Sequence, residues 1–211
     1  MNYINAQHAF EYLYDKIILS GEVDNGTKAI YNTGFYILNP VDNIINTTWR
    51  KWNKEYADFE WDWYMSGNPN ADAISNRAKI WKSCQDAEGN VNSNYGFQWN
   101  RNGQIDYVVN ELKNNPNSRR AAISIYDGKE HDKYSKDTPC TYAIWFELKN
   151  GNLNMSVMMR SNDLVFGFCN DQYCFSKLQQ LIANKLQCGI GTYYHFVNNL
   201  HIYERHYNLK K

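Results

Sequence analysis

The dipeptide Asn150-Gly151 constrains this chain more than any other feature. It stands between two strand-like runs, Thr141 to Leu148 and Asn152 to Met159. Asn and Gly tolerate the positive φ that a two-residue hairpin turn requires, so the two runs are expected to pair antiparallel. Further strand-like runs extend from Ala29 to Leu38, closed by Pro40, from Ala121 to Tyr126, and from Tyr193 to Tyr203. Helical spacing intervenes. Phe10, Leu13, Tyr14 and Ile17 recur at i, i+3, i+4 and i+7 behind the candidate cap Asn5, and that helix ends near Gly21. A second helix is expected around Asp58 to Met65, and Ile105, Val108, Val109 and Leu112 mark another that stops before Pro116. Phe175, Leu178, Leu181 and Ile182 place a central buried helix over Gln172 to Leu186. These elements show neither regular βαβ alternation nor an internal repeat, so the expected class is α+β, a mixed β-sheet with packed helices.

With no linker visible in 211 residues, a single domain over 1–211 is expected, and 43% apolar content suffices for its core. Twenty-two basic residues balance 22 acidic ones, which leaves no global field for gripping a nucleic-acid polymer or an anionic membrane. An anionic ligand must therefore be held locally. No apolar stretch is long enough to span a membrane, and the first ten residues lack a signal-peptide pattern, so a cytoplasmic protein is expected. The five cysteines (Cys84, Cys140, Cys169, Cys174 and Cys188) form no C-x-x-C pair, which suggests neither a disulfide framework nor a metal site.

Three groups of residues carry candidate chemistry. Cys140 follows Pro139 at a strand start, a rigid edge that can hold a nucleophile, although a lone cysteine is more often a small buried hydrophobe. Asn117-Ser118-Arg119-Arg120 and Arg160-Ser161-Asn162-Asp163 contain three of the chain's seven arginines, a composition suited to bidentate phosphate binding. Taken singly, either cluster reads equally as a solvated turn.

In order, the chain shows Glu60-x-x-Trp63-Tyr64-x-x-Gly67, Ile80-Trp81, Asn94-Tyr95-Gly96-x-Gln98-Trp99, Asn117-Ser118-Arg119-Arg120, Pro139-Cys140, Arg160-Ser161-x-Asp163-x-x-x-Gly167 and His201-Ile202-Tyr203-x-x-His206. That series resembles the thymidylate synthase family from about residue 20 to residue 206. Within the family, VNSNYG, NPNSRR, MRSNDLVFGFCND and LHIYERH are most similar to the deoxycytidylate hydroxymethylase branch of T-even phages. The resemblance implies a homodimer formed through the sheet, a pyrimidine deoxynucleotide monophosphate as substrate, and 5,10-methylenetetrahydrofolate as co-substrate without a metal. It assigns Cys140 as the thiolate that adds to carbon 6 of the pyrimidine, with Arg160 favouring the thiolate. Arg160 and Ser161 fall at phosphate positions, with Arg119 and Arg120 reaching over from the second subunit. Glu60 matches the glutamate that organises water and proton transfers. His201 and Tyr203 match the pair on the deoxyribose hydroxyl, Trp81 and Asp163 match folate-side positions, and Tyr95 matches an active-site tyrosine.

Asp171 falls where thymidylate synthases carry an asparagine. A uracil edge presents an N–H beside a carbonyl, which one carboxamide satisfies. A cytosine edge presents an amine beside a ring-nitrogen acceptor, which a carboxyl satisfies by sharing one proton with that nitrogen. Asp171 is therefore expected to read cytosine, against the plainer reading of an N-cap for the helix beginning near Gln172. The family's N-terminal loop arginine falls at Asp24, with Lys28 as candidate substitute, while Thr141 and Met159 replace a histidine and a glutamine. The sequence given runs five residues past His206, without the segment that in thymidylate synthases closes over folate. An open site suits water addition to the one-carbon unit better than hydride reduction. The leading expectation is a deoxycytidylate 5-hydroxymethyltransferase, phage-encoded, that makes a modified DNA precursor in the host cytoplasm. The alternatives are a deoxyuridylate methylase or hydroxymethylase, and an idle relative that binds nucleotide or a partner protein.

Overall fold

The computed structural model describes residues 1–130, Tyr134 and 136–210. Helix α1 (Ala6–Ser20) begins where the Asn5 side chain accepts from the His8 backbone N–H at 2.9 Å, and it closes with Gly21 N–H on the Ile17 carbonyl. Strands β1 (Asn2–Tyr3), β2 (Glu22–Asp24) and β3 (Thr27–Ile37) flank it. The middle of the chain is helical: α2 (Lys54–Ser66), the short α3 (Asp72–Ser75) and α4 (Ile80–Cys84), α5 (Tyr95–Asn100) and α6 (Gln104–Asn114). Strands β4 (Ala122–Ser124), β5 (Thr141–Lys149) and β6 (Asn152–Asp163) follow, then α7 (Cys169–Leu186) and β7 (Gly189–Tyr203).

These strands form one mixed sheet in the order β1-β3-β7-β6-β5-β4, with β2 paired to β3. The hairpin forms as expected, with φ of 52° at Asn150 and 75° at Gly151 turning β5 antiparallel onto β6. Strands β6 and β7 run parallel, joined through α7, so the sheet contains one local βαβ unit that the irregular sequence pattern does not announce. Alternate residues of the strands, among them Phe35, Ile144, Phe146, Val157 and Val197, are fully buried in one core with Phe10 and Leu13 of α1 and Phe175, Leu178 and Ile182 of α7. Each large side chain removed from water there stabilises the fold by about 1.5–3 kcal/mol.

Helix α2 and strand β7 each start four residues earlier than the sequence suggests, at Lys54 and Gly189, and two further boundaries differ for a visible reason. Strand β4 stops at Ser124 because the Ile125 and Tyr126 N–H groups both donate to the Tyr142 carbonyl, which ends the regular ladder. The central helix starts before Gln172. The Asp163 carboxylate accepts from the Val165 and Phe166 N–H groups, which winds the chain straight from β6 into a π-helical turn (Leu164–Phe168) and on into α7. Asp171 consequently lies inside the first turn of α7 and caps nothing, while Asp163 performs the capping. Among the described residues no helix is long and apolar enough to cross a membrane.

Candidate active site

The start of β5 and the ends of β6 and β7 converge, with α2, α4, α5 and α7, on a cavity of about 420 Å³. The sheet register makes distant motifs neighbours. Thr141 pairs with Met159 and Asp163 with His201, and the Arg160 N–H donates to the Cys140 carbonyl at 2.8 Å. Cys140, Glu60, Asp171, Tyr95, Arg160, Ser161, Asp163, Trp81, His201 and Tyr203 all line this cavity.

On the strand side, the Arg160 guanidinium is tethered by donating to the Pro139 carbonyl at 3.2 Å and the Thr138 carbonyl at 2.7 Å. That tether holds a cation beside Cys140. Burial nevertheless raises the Cys140 thiol to about 11, with Arg160 pulling in the opposite direction and losing. The expected thiolate-favouring environment is thus only partly built within one chain.

On the helix side, burial and the neighbouring Asp171 raise the Glu60 carboxyl to about 8, while a hydrogen bond from the Tyr56 hydroxyl works against them. Tyr56 itself accepts from the Trp81 indole N–H at 2.9 Å, so Trp81 and Glu60 are joined through one hydroxyl. Burial raises Asp171 to about 7, opposed by the amide of Asn162, which donates to its Oδ2 at 2.7 Å. Two carboxyls raised toward neutrality, Glu60 buried and Asp171 half-buried, are suited to general acid–base work. Tyr95 reaches the same space because α5 packs tightly on α2, where a Cβ on Gly96 would overlap the Tyr64 carbonyl, and its hydroxyl accepts from the Thr141 N–H at 3.2 Å.

On the β7 side, His201 Nδ1 bonds Asn199 Oδ1 at 3.0 Å and its ring meets Tyr203 edge-on at 5.1 Å. Burial keeps His201 below the usual imidazole range. A second cleft of about 960 Å³ adjoins this corner and shares Tyr56, Ile80, Asp163, Phe166, Asn170 and Tyr203 with the cavity. Its aromatic walls and its rim of Arg50, Arg77 and Arg205 suit a flat heteroaromatic ring with an anionic tail.

Three sequence candidates lie elsewhere. Lys28 donates to the Ile18 carbonyl at 2.8 Å, at the end of α1. Arg120 is paired with Glu111 of its own chain at 2.9 Å, with most of its side chain exposed, and the Arg119 carbonyl accepts from the Trp145 indole. Neither arginine lines the cavity. Sequence reasoning missed Tyr56 and Asn162. The first was findable at four residues before Glu60 on the same helix, and the second sat unread inside the Arg160-Ser161-x-Asp163 motif. Among the described residues no cluster of His, Cys, Asp and Glu is placed to hold a metal ion.

The comparisons agree with this geometry. A curated thymidylate synthase of Bacillus atrophaeus is 31% identical over 177 residues, covering 79% of this chain and 78% of that protein. The thymidylate synthase of Bacillus phage phi3T is 30% identical over 177 residues, with 63% of its length covered. The solved structure of thermostable thymidylate synthase A from Bacillus subtilis superposes with a TM-score of 0.80 over 98% of this chain and 83% of the other, at 24% identity. The family model described as thymidylate synthase matches residues 15–211, and with the cavity assembled from the same motifs, this chain belongs to the thymidylate synthase family of one-carbon transferases.

Proposed function

We propose that this enzyme is a deoxycytidylate 5-hydroxymethyltransferase. The observation that carries the reading is Asp171, a half-buried carboxyl that lines the same cavity as Cys140 and is raised by desolvation to about 7. A group that can carry or release a proton at neutral pH matches the amine and ring-nitrogen edge of cytosine, because it accepts from the amine while sharing its proton with the ring nitrogen. The same proton neutralises the charge that builds on the ring as the Cys140 sulfur adds to carbon 6. Glu60 manages the remaining proton transfers and orders water near carbon 5. Arg160 and Ser161 hold the phosphate, His201 and Tyr203 hold the sugar hydroxyl, and Tyr95 shapes the wall beside the base. Trp81 and Asp163 stand where the co-substrate would lie, and the adjoining aromatic cleft suits its ring system. When bound, 5,10-methylenetetrahydrofolate supplies the one-carbon unit.

The enzyme acts as a homodimer in this reading. The sheet face opposite the helices presents Tyr36, Trp145, Met158, Tyr194 and Phe196, all at least partly exposed. An aromatic sheet face without a helix layer is suited to twofold packing on a second copy. That packing brings Arg119 and Arg120 of the partner subunit to the phosphate, consistent with their distance from their own cavity. Lys28 remains the proposed stand-in for the arginine replaced by Asp24, provided its ammonium leaves Ile18. The similarity of the segments around Asn94 and Arg160 to the phage branch supports a role in making a modified DNA precursor in the cytoplasm of a bacterial host.

The relatives' own names favour a second reading, methylation of deoxyuridylate. Incubation with each pyrimidine monophosphate and methylenetetrahydrofolate separates the two. A deoxycytidylate product heavier by CH2O is expected. A deoxyuridylate product heavier by CH2, with deoxycytidylate untouched, overturns the proposal.

A further inference from the structure

A buried hydrogen-bond chain runs inward from the base-reading carboxyl, and no step of the mechanism above uses it. Asp171 Oδ2 accepts from Asn162 Nδ2 at 2.7 Å, Asn162 Oδ1 faces His195 Nε2 at 3.1 Å, and His195 Nδ1 faces the Tyr193 hydroxyl at 2.6 Å. His195 and Tyr193 are wholly buried, and Asn162 nearly so.

The direction of the donors follows from counting protons. With Nε2 protonated and Nδ1 free, Tyr193 donates to His195, His195 donates to Asn162, and Asn162 donates to Asp171, so each link pairs one donor with one acceptor. In the reverse direction Tyr193 must accept from Nδ1–H, and its own hydroxyl proton then has no acceptor among the described hydrogen bonds, at about 1–3 kcal/mol for a buried donor. The packing of Phe35 and Phe168 against the imidazole, each with centroid 5.3 Å away, keeps the ring dry. Burial also drives His195 down to about 3, so it stays a neutral relay.

This direction matters for specificity. A neutral carboxyl has one donor and one acceptor, the same pair that a carboxamide offers to uracil. Asp171 could therefore read uracil by placing its proton on Oδ2, toward the uracil carbonyl, and accepting the ring N–H on Oδ1. We propose that the Asn162–His195–Tyr193 chain is the specificity device of this site, which blocks that arrangement by aiming a donor at Oδ2 and so confines the Asp171 proton to Oδ1, the cytosine-reading state. Asn162 and His195 are then positioning residues that act through Asp171. The inference rests on the base-reading role proposed for Asp171 and adds what keeps that role exclusive. The sequence carried a faint sign of it, since Tyr193, His195 and Val197 alternate inward along β7.

The test measures the deoxycytidylate-to-deoxyuridylate ratio of kcat/KM in wild type, Asn162→Ala, His195→Phe and His195→Gln, with a thermal melt of each. Asn162→Ala removes the donor and His195→Phe frees the Asn162 amide to turn over, so the ratio should fall about tenfold in both. His195→Gln keeps an N–H aimed at Asn162 Oδ1, so its ratio should return to within about twofold of wild type. A purely packing role for His195 predicts the opposite, with the apolar Phe tolerated and Gln not. Nitrogen NMR of the wild-type imidazole should show Nε2 protonated and Nδ1 bare. A wild type that prefers deoxycytidylate while Asn162→Ala leaves the ratio unchanged, or an Nδ1–H imidazole, overturns the chain's role and leaves the base-reading proposal standing. A wild type without preference for deoxycytidylate overturns both, and that single ratio identifies the case.

Discussion

The two ends of the cavity solve the burial of an ionisable group in opposite ways. At the strand end, Cys140 has a tethered arginine beside it, yet burial still leaves its thiol raised to about 11. At the helix end, Glu60 meets the Tyr56 hydroxyl and the charge of Asp171, while Asp171 meets the Asn162 amide and the charge of Asp163. Burial therefore leaves the two carboxyls raised toward neutrality and the thiol raised well past it. A single chain is thus better suited to proton transfer at the helix end than to attack by sulfur at the strand end. In the proposed reading, nucleotide, co-substrate or a second subunit tips the thiol.

The largest effect belongs to the sulfur itself. Cys140→Ser should keep nucleotide binding and lose turnover by about 10^4-fold or more, because an alcohol is far less acidic than a thiol and no base here is dedicated to it. Product formation within tenfold of wild type, by a single-turnover assay, would break the comparison at its strand end.

Whether a second subunit supplies the missing cations can be asked by complementation. An Arg119→Ala/Arg120→Ala chain mixed with a Cys140→Ser chain should recover about one working site per mixed dimer, from two nearly inactive parents. No recovery in a confirmed heterodimer would confine those arginines to their own subunit.

Arg160→Ala should raise KM by about tenfold and also lower kcat, since the same guanidinium opposes the burial of the thiol and is proposed to hold the phosphate. Alkylation of Cys140 by iodoacetamide gives an independent view. The rate should climb about tenfold per pH unit from neutrality upward, and more slowly at each pH in the variant. A changed KM with unchanged kcat and alkylation would reduce Arg160 to a phosphate ligand.

The smallest effect is on stability at the helix end. Glu60 is raised in the fold from its ordinary 4.5 to about 8, so as a buried carboxyl it disfavours the folded state increasingly as pH climbs through that window. Glu60→Gln should therefore raise the melting temperature by several degrees at pH 8 and leave it unchanged at pH 4. Equal shifts at both pH values would mean that the carboxyl is not raised.

The motifs named residues at both ends of the cavity, but local structure was legible at the strand end and much less so at the helix end. Asn150-Gly151 announced the hairpin that carries Cys140 and Arg160, and Asn5 and Gly21 bounded α1 within a residue, because turns and caps are decided by local chemistry. The π-helical turn that swings Asp171 inward depends on Asp163 capping from the end of a strand, and α4, which carries Trp81, is a five-residue helix too short for periodicity to reveal. Asn162, His195 and Tyr56 acquire meaning only once β6, β7 and α2 are packed together. Site residues on strong local signals could be read from the chain, and those that act through neighbours across the sheet could not.

The central claim is that Asp171 selects cytosine, and Asp171→Asn tests it most directly. A carboxamide cannot share a proton with the ring nitrogen, so the loss should fall more on kcat than on KM for deoxycytidylate. The ratio of kcat/KM for deoxycytidylate over deoxyuridylate, measured for wild type and variant side by side, should drop about 100-fold. A wild type that already prefers deoxyuridylate, or a variant weakened equally toward both nucleotides, would contradict the account.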